Sequence, residues 1–341
     1  MKLTTLTEYF IPIIWQVRKK LTALKMRKSD IMRIIFMGTP DFSVPCLEAL
    51  IRGTDEVVGV FTQPDKPKGR GYELTPPPVK VCAEKHGIPV FQPVSMKDGT
   101  ALEIIKSLNA DLIIVVAFGK ILPSDVLNSV KYGCINIHAS LLPKLRGAAP
   151  IQWSILNGET QTGVTSMQMN EGLDTGDMLI KKSVKITENM NAGELHDILS
   201  KLGAEVLLET VEAVKNNALT PVKQDDSLSN YAPMLSKELC PTDFSKSALE
   251  VHNHIRGLSP WPVALTEING KKVKLHKSKI LNEKFNGKPG EIADNNNRLV
   301  VVCGDGNAVE ILELQAEGKK KTDTASYLRG NKIELGTVLG G

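Results

Sequence analysis

The sequence predicts an α/β protein: an open, mostly parallel sheet domain followed by a small all-β module, most simply a barrel. Three observations carry this expectation. Between residues 33 and 138, five short apolar runs recur without polar alternation, with helical stretches between them. That is the pattern of strands covered on both faces. Beyond Pro241, short strand-like runs alternate with turn signals at Asn269-Gly270, Asn286-Gly287 and Gly304-Asp305-Gly306. The 341 residues are 42% hydrophobic and 23% charged, which excludes global disorder and suits two domains.

Residues 1–31 differ from the rest, with seven basic residues against two acidic ones. Their apolar patch from Phe10 to Trp15 is short, contains Pro12, and is followed by Arg18, Lys19 and Lys20. A signal peptide has the opposite order, so this segment reads as an extension before a start near Met32. A basic membrane-surface helix is the competing reading. The five apolar runs then fall at 33–37, 56–61, 88–91, 111–117 and 133–138. Two more strands are expected at 165–169 and 178–185, joined through Gly172-Leu173-Asp174-Thr175-Gly176. Leu195, Ile198, Leu199, Leu202, Val206, Val211 and Val214 follow at helical spacing, with Asn191 as N-cap. A mixed connection and a short helix at 247–255 lead to Pro260-Trp261-Pro262 and the β module. The expected organisation is an extension over 1–31, a main domain over 32–220, a linker over 221–240 and a C-terminal domain over 241–341.

Several function classes are excluded. No stretch approaches the length of a membrane span. The five cysteines are scattered and form no CxxC, so neither a disulfide framework nor a zinc site is expected, and a reducing cytoplasm fits. The first strand–helix turn reads Gly38-Thr39-Pro40-Asp41-Phe42, with a proline where a dinucleotide site needs close backbone approach. No Walker A motif and no metal-ligand spacing is present.

The chemistry concentrates in the fifth run. Asn136 and His138 are two apart, so in a strand they share a face, with apolar Ile137 turned the other way. Open parallel sheets bind ligands beyond the carboxyl ends of their strands. A neutral imidazole can carry a proton near pH 7, and an amide can donate to an oxygen gaining charge. The pair therefore suits nucleophilic attack on a carbonyl. The plainer reading is two polar residues satisfying loop backbone. Asp174, between two glycines, would orient the histidine; the plainer reading is a turn former, and Asp177 lies close enough to be confused with it. Cys134 is two residues deeper and reads as core. His252 and His254 would face different ways on one helix.

Taken together, Gly38 to Phe42, Gln63-Pro64-Asp65 with Gly69-Arg70-Gly71, the run from Asn136 through Ser140-Leu141-Leu142-Pro143, Arg146-Gly147-Ala148-Ala149-Pro150, and Gly172 to Asp177 resemble the 10-formyltetrahydrofolate-dependent formyltransferases. Within that group they resemble the methionyl-tRNA formyltransferase family, from about Arg33 to the C-terminus. The resemblance implies a Rossmann-like catalytic domain and a C-terminal barrel of the oligonucleotide-binding (OB) type. It implies transfer of a formyl group from 10-formyltetrahydrofolate, a co-substrate, to the α-amino group of methionyl-initiator tRNA, for translation initiation. Asn136, His138 and Asp174 would be the catalytic trio. Ser140, Leu141, Leu142 and Pro143 would line the folate site, and Phe118 and Gly119 would border the pteridine pocket. Lys66, Lys68 and Arg70, on a basic glycine-punctuated surface loop, would meet the tRNA acceptor end.

Lys272 and Lys274, in the basic stretch from Lys271 to Lys279, would meet tRNA phosphates, with Lys319-Lys320-Lys321 adding a second patch. Otherwise these are ordinary solubilising lysines. No metal, no membrane and a monomer are expected. Two other readings stay open: the same chemistry on an amino-sugar nucleotide or purine-pathway amine, and a non-catalytic RNA-binding protein.

Overall fold

Alternation of apolar runs and helices becomes, in the computed structural model, a sheet whose strand ends converge on one edge. The structure describes residues 31–68 and 73–340. The chain divides into two compact units. One comprises the described residues up to His138 with Val164–Lys181 and Ser200–Gln224; the other comprises Ala139–Gly163, Lys182–Leu199 and the described residues from Asp225 onward.

In the first unit, β1 (Arg33–Gly38), α1 (Val44–Arg52) and β2 (Glu56–Phe61) lead to a small antiparallel hairpin, β3 (Lys66–Lys68) and β4 (Glu73–Thr75). Then come α2 (Pro78–Lys85), β5 (Val90–Phe91), α3 (Thr100–Ser107), β6 (Leu112–Val116), α4 (Ser124–Leu127) and β7 (Cys134–His138). The chain continues through β8 (Arg146–Gly147), α5 (Pro150–Leu156), β9 (Gln161–Gln168), β10 (Met178–Lys185) and the long α6 (Ala192–Lys215). The large sheet has the order β10-β9-β7-β6-β1-β2-β5. Its five strands from β5 to β7 pair in parallel, while β9 runs antiparallel to β7.

Because β2 and β5 lie on one side of β1 while β6 and β7 lie on the other, the strand order reverses between β1 and β6. Such a reversal opens a crevice beyond the strand ends. The ends approach closely there: a Cβ at Gly38 would lie 3.0 Å from the Val116 carbonyl and 2.8 Å from the Phe36 ring. Ile35, Met37, Phe61, Ile113, Val115, Phe118 and Cys134 form one packed core.

The α6 N-terminus carries the expected cap as a reciprocal pair. Glu194 N donates to Asn191 Oδ1 (2.9 Å) and Asn191 N to Glu194 Oε2 (3.0 Å). Leu195, Leu199, Val206, Val211 and Val214 are buried, but Ile198, expected on the same stripe, is 39% exposed. It sits at the margin of the apolar arc, where the spacing alone cannot tell edge from centre.

The second unit adds β11 (Tyr231–Ala232), which pairs in parallel with β8. Next come α7 (Ala248–Gly257), β12 (Ala264–Ile268), β13 (Lys271–Leu281), β14 (Ile292–Asp294), β15 (Leu299–Val302), β16 (Ala308–Ala316), β17 (Thr322–Asp323) and α8 (Thr324–Gly330). Its antiparallel sheet runs β12-β13-β16-β15-β14, with β17 beside β16. Asn269 and Gly270 both adopt positive φ (51° and 70°) between β12 and β13, as a two-residue hairpin turn requires. The sheet curls, and its two edge regions are bridged by the C-terminal segment: Gly340 pairs with Glu267 of β12, and Val338 with Glu291 just before β14. Val251, Ile255, Val273, Leu275, Val301, Ile311 and Leu339 fill the inside.

The residues expected as a bare linker make specific bonds. Met178 and Val222 exchange backbone hydrogen bonds of 2.8 and 2.9 Å. No described helix is long and apolar enough to cross a membrane. The expected extension, residues 1–31, lies outside the described residues except at Ile31.

Candidate active site

Strand β7 is buried at every position except half-buried Asn136, and its sequence turns polar toward the carboxyl end. Asn136 lies opposite Val115 of β6 and Met167 of β9, and His138 opposite Thr165. Ile137 between them is buried, so the two polar side chains share the other face. His138 is 6% exposed.

The loop between β9 and β10 brings in the third group. His138 Nδ1 lies 3.7 Å from Asp174 Oδ2, and Asn136 Nδ2 lies 3.5 Å from Asp174 Oδ1. The carboxylate thus faces both side chains, Asn136 at the outer limit of hydrogen bonding and His138 just beyond it. A carboxylate on the Nδ1 side of the ring fixes which way the imidazole is turned. Asp177, the alternative acid, belongs to the ladder: its carbonyl accepts from Gln168 N (2.9 Å).

The loop is held tightly. Asn170 Oδ1 accepts from Gly172 N (3.1 Å) and from Thr175 Oγ1 (2.8 Å). Gln224 Nε2 donates to the carbonyls of Asp174 (2.7 Å) and Gly176 (2.8 Å). Gly176 is required by close approach, since a Cβ would come within 1.7 Å of the Gln168 carbonyl. Asp174 itself has φ 52°, a left-handed conformation that costs a non-glycine residue about 1–3 kcal/mol and persists where the surrounding bonds impose it. Gln224 gives no sequence signal, being 50 residues from Asp174. Asn170 could have been found as a short polar side chain opening a turn.

At the strand reversal, the Phe118 carbonyl accepts from Thr39 Oγ1 (3.0 Å) and Gln63 Nε2 (3.2 Å), and the Gly119 carbonyl accepts from Gln63 Nε2 (3.0 Å). The Phe118 side chain is only 2% exposed and belongs to the core, so what this residue offers a ligand is backbone. Gly119 is exposed. In the second unit, Ser140 and Leu142 are buried, and Ser140 Oγ donates to the Lys144 carbonyl (2.7 Å). Leu141 and Pro143 are half-buried and carry the surface of that segment. No thiol competes as nucleophile at the strand end: Cys134 is buried and its pKa is pushed up to about 12 by burial.

The basic residues distribute differently from expectation. Lys66 and Lys68 belong to strand β3 rather than to a loop, because Lys66-Pro67-Lys68 finds a pairing partner in Glu73–Thr75. Lys66 is exposed; Arg70 and the side chain of Lys68 lie outside what is described. The hairpin's base is anchored by Lys80 Nζ, which donates to Asp65 (3.0 and 2.8 Å) and to Gln92 Oε1 (3.0 Å). Those bonds hold the Asp65 carboxyl below its ordinary pKa. The lysines from Lys271 to Lys279 sit on the single strand β13. Lys272 and Lys274 are exposed while Val273 and Leu275 point inward. Lys279 pairs with Glu310 (3.1 Å) and Lys321 with Glu313 (2.7 Å), so part of the positive surface is neutralised. No cluster of metal-ligating side chains occurs among the described residues.

With this geometry in place, likeness to known proteins is informative. The model of the formyl transferase family matches residues 32–211, and that of the formyl transferase C-terminal domain matches 234–332. Methionyl-tRNA formyltransferase of Alkaliphilus oremlandii is 50% identical over 309 residues, covering 91% of this chain and 100% of that protein. The enzymes of the same name from Trichlorobacter lovleyi and Clostridioides difficile are 52% and 51% identical, over 90% and 91% of this chain and 96% and 100% of theirs. Among solved structures, the N-formyltransferase of Helicobacter canadensis with folinic acid and dTDP-3-aminofucose superposes with a TM-score of 0.66 at 22% identity, covering 84% of this chain and 99% of that one. HypX of Aquifex aeolicus with tetrahydrofolic acid gives 0.60 at 21%, covering 90% of this chain and 50% of that one. These two likenesses concern the fold. The chain belongs to the formyl transferase family.

Proposed function

We propose that this member of the formyl transferase family moves the formyl group of 10-formyltetrahydrofolate to the α-amino group of methionyl-initiator tRNA, giving the N-formyl product used in translation initiation. The observation that carries the reading is the meeting of Asn136, His138 and Asp174 at the carboxyl end of one strand. The substrate pair is supported by relatives of about 50% identity along nearly their whole length. The fold-level likeness to a sugar formyltransferase is far weaker.

The chemistry needs little force. An α-amino group has a pKa near 8, so a useful neutral fraction is present at pH 7. Its lone pair attacks the formyl carbon, and the carbonyl oxygen takes the negative charge. Asn136 donates to that oxygen, an interaction that strengthens as charge develops. His138, with Asp174 beside it, stabilises the oxyanion and receives the proton the amine loses. The C–N bond to the folate then breaks, and the folate nitrogen takes a proton as it leaves. The Phe118–Gly119 backbone is assigned to the pteridine end of the folate, and Leu141 and Pro143, with Ser140 and Leu142 buried behind them, to the folate as well. Lys66, Lys68 and Arg70 approach the acceptor arm, and Lys272 and Lys274 meet backbone phosphates. The chain works as a monomer in the cytoplasm, away from membranes; five buried free cysteines suit a reducing compartment.

The test is transfer of labelled formyl from 10-formyltetrahydrofolate, offered methionyl-initiator tRNA, free amino-sugar nucleotides and free amines in parallel. Label on the charged tRNA supports the reading; label on a sugar nucleotide alone, or no turnover, rejects it.

A further inference from the structure

The acid of the trio is held by a backbone conformation it does not prefer. Asp174 lies at φ 52°, and its carboxylate sits 3.5 and 3.7 Å from its two partners. At such separations a shift of a few tenths of an ångström decides whether a hydrogen bond forms. The position of that one peptide therefore matters more than usual. Asn170 fixes the loop through Gly172 and Thr175. The side-chain amide of Gln224 reaches the Asp174 backbone itself: its Nε2 donates to the carbonyls on either side of Thr175, those of Asp174 and Gly176.

An NH₂ group has two hydrogens, so one amide satisfies both carbonyls at 2.7 and 2.8 Å. Gln224 is itself placed by register: Val222, two residues earlier, exchanges both backbone hydrogen bonds with Met178 at the start of β10. The chain from 222 to 224 is thus moored beside the loop it clamps.

We propose that Gln224 is a positioning residue for formyl transfer, holding the Asp174 peptide in its left-handed conformation so that the carboxylate faces His138 and Asn136. This rests on the reading of Asp174 as part of the reacting site. Gln224 acts through Asp174, so its loss lowers the rate of the chemical step and leaves substrate binding nearly intact. Misplacement by about 1 Å can cost on the order of 100-fold in rate.

The experiment measures single-turnover formyl transfer to methionyl-initiator tRNA, with kcat and KM for both substrates. The variants are Gln224→Met, of similar size but without donors, Gln224→Glu, Asp174→Ala, and Asp174→Ala combined with Gln224→Met. Thermal melting confirms that each is folded. Expected is a loss of about 10–100-fold in kcat for Gln224→Met, with KM changed by less than about threefold, and little further loss when it is added to Asp174→Ala. For Gln224→Glu, activity relative to the unmodified enzyme should rise as pH falls, because a protonated carboxyl regains one donor. Should Gln224→Met misfold, that pH-dependent ratio in Gln224→Glu decides instead. Unchanged kcat in folded Gln224→Met, losses that multiply in the combined variant, or a flat ratio with pH overturns the positioning role. Full activity in Asp174→Ala would instead overturn the reading of the site itself.

Discussion

The two units put their polar residues in opposite places. In the first, β7 carries its polar residues, Asn136 and His138, on one face of its carboxyl half. In the second, β13 is polar along one whole face, with lysines alternating against Val273, Leu275 and Ser278 inside. A parallel strand covered on both faces can expose function only at its end, whereas an antiparallel strand with one wet face can present a row of charges. The first arrangement gives a few groups fixed at a point, which suits bond making. The second gives a surface that matches a repeating anion, which suits holding a nucleic acid without reading its bases.

That contrast is tested most severely by Asn136→Ala and His138→Ala. Each should reduce kcat by roughly 100–1,000-fold with little change in the affinity for tRNA, measured by steady-state kinetics beside a binding titration. Lys272→Ala with Lys274→Ala should do the reverse. kcat at saturation should hold, while tRNA binding weakens and the slope of its logarithm against that of salt concentration drops by about 2. If the lysine pair lowered saturated kcat, or the β7 variants mainly weakened binding, the division between the units would fail.

Smaller effects sharpen the comparison. Asn191→Ala removes half of the reciprocal cap on α6 and should cost about 1 kcal/mol in denaturant unfolding without touching kcat. The second unit should also be sensitive to acid. Burial holds the imidazoles of His252, His254 and His276 below the ordinary histidine pKa. As pH falls through about 6.5 the unfolded chain binds protons that the folded unit resists. The stabilisation is therefore full above that pH and declines below it. Melting scans at pH 7.5 and 5.5 should show a lower midpoint at pH 5.5, and a smaller drop in His252→Gln.

Much of this architecture could be read from the residues because the physics was local. The apolar runs became β1, β2, β5, β6 and β7 since a continuous apolar stretch has nowhere to go but a doubly covered strand. Asn191 and Asn269-Gly270 announced a cap and a hairpin because each is decided within four residues. The same strand periodicity put Asn136 and His138 on one face. What remained hidden depended on partners far along the chain. Lys66-Pro67-Lys68 became a strand because Glu73–Thr75 completes a ladder. Ile198 was left exposed at the edge of a stripe whose centre tertiary packing sets. Gln224 reaches Asp174 across 50 residues, a contact no spacing rule contains. The bridging of β12 and the β14 edge by the last described residues is of the same kind.

The central claim is that one carbon unit is handled where Asn136, His138 and Asp174 meet. A crystal structure with a formyl-bearing folate would test it most directly. The account predicts the formyl oxygen within hydrogen-bonding reach of Asn136 Nδ2 and the His138 ring, with Asp174 beside them. A formyl group seated elsewhere, with these three side chains touching only protein, would contradict it.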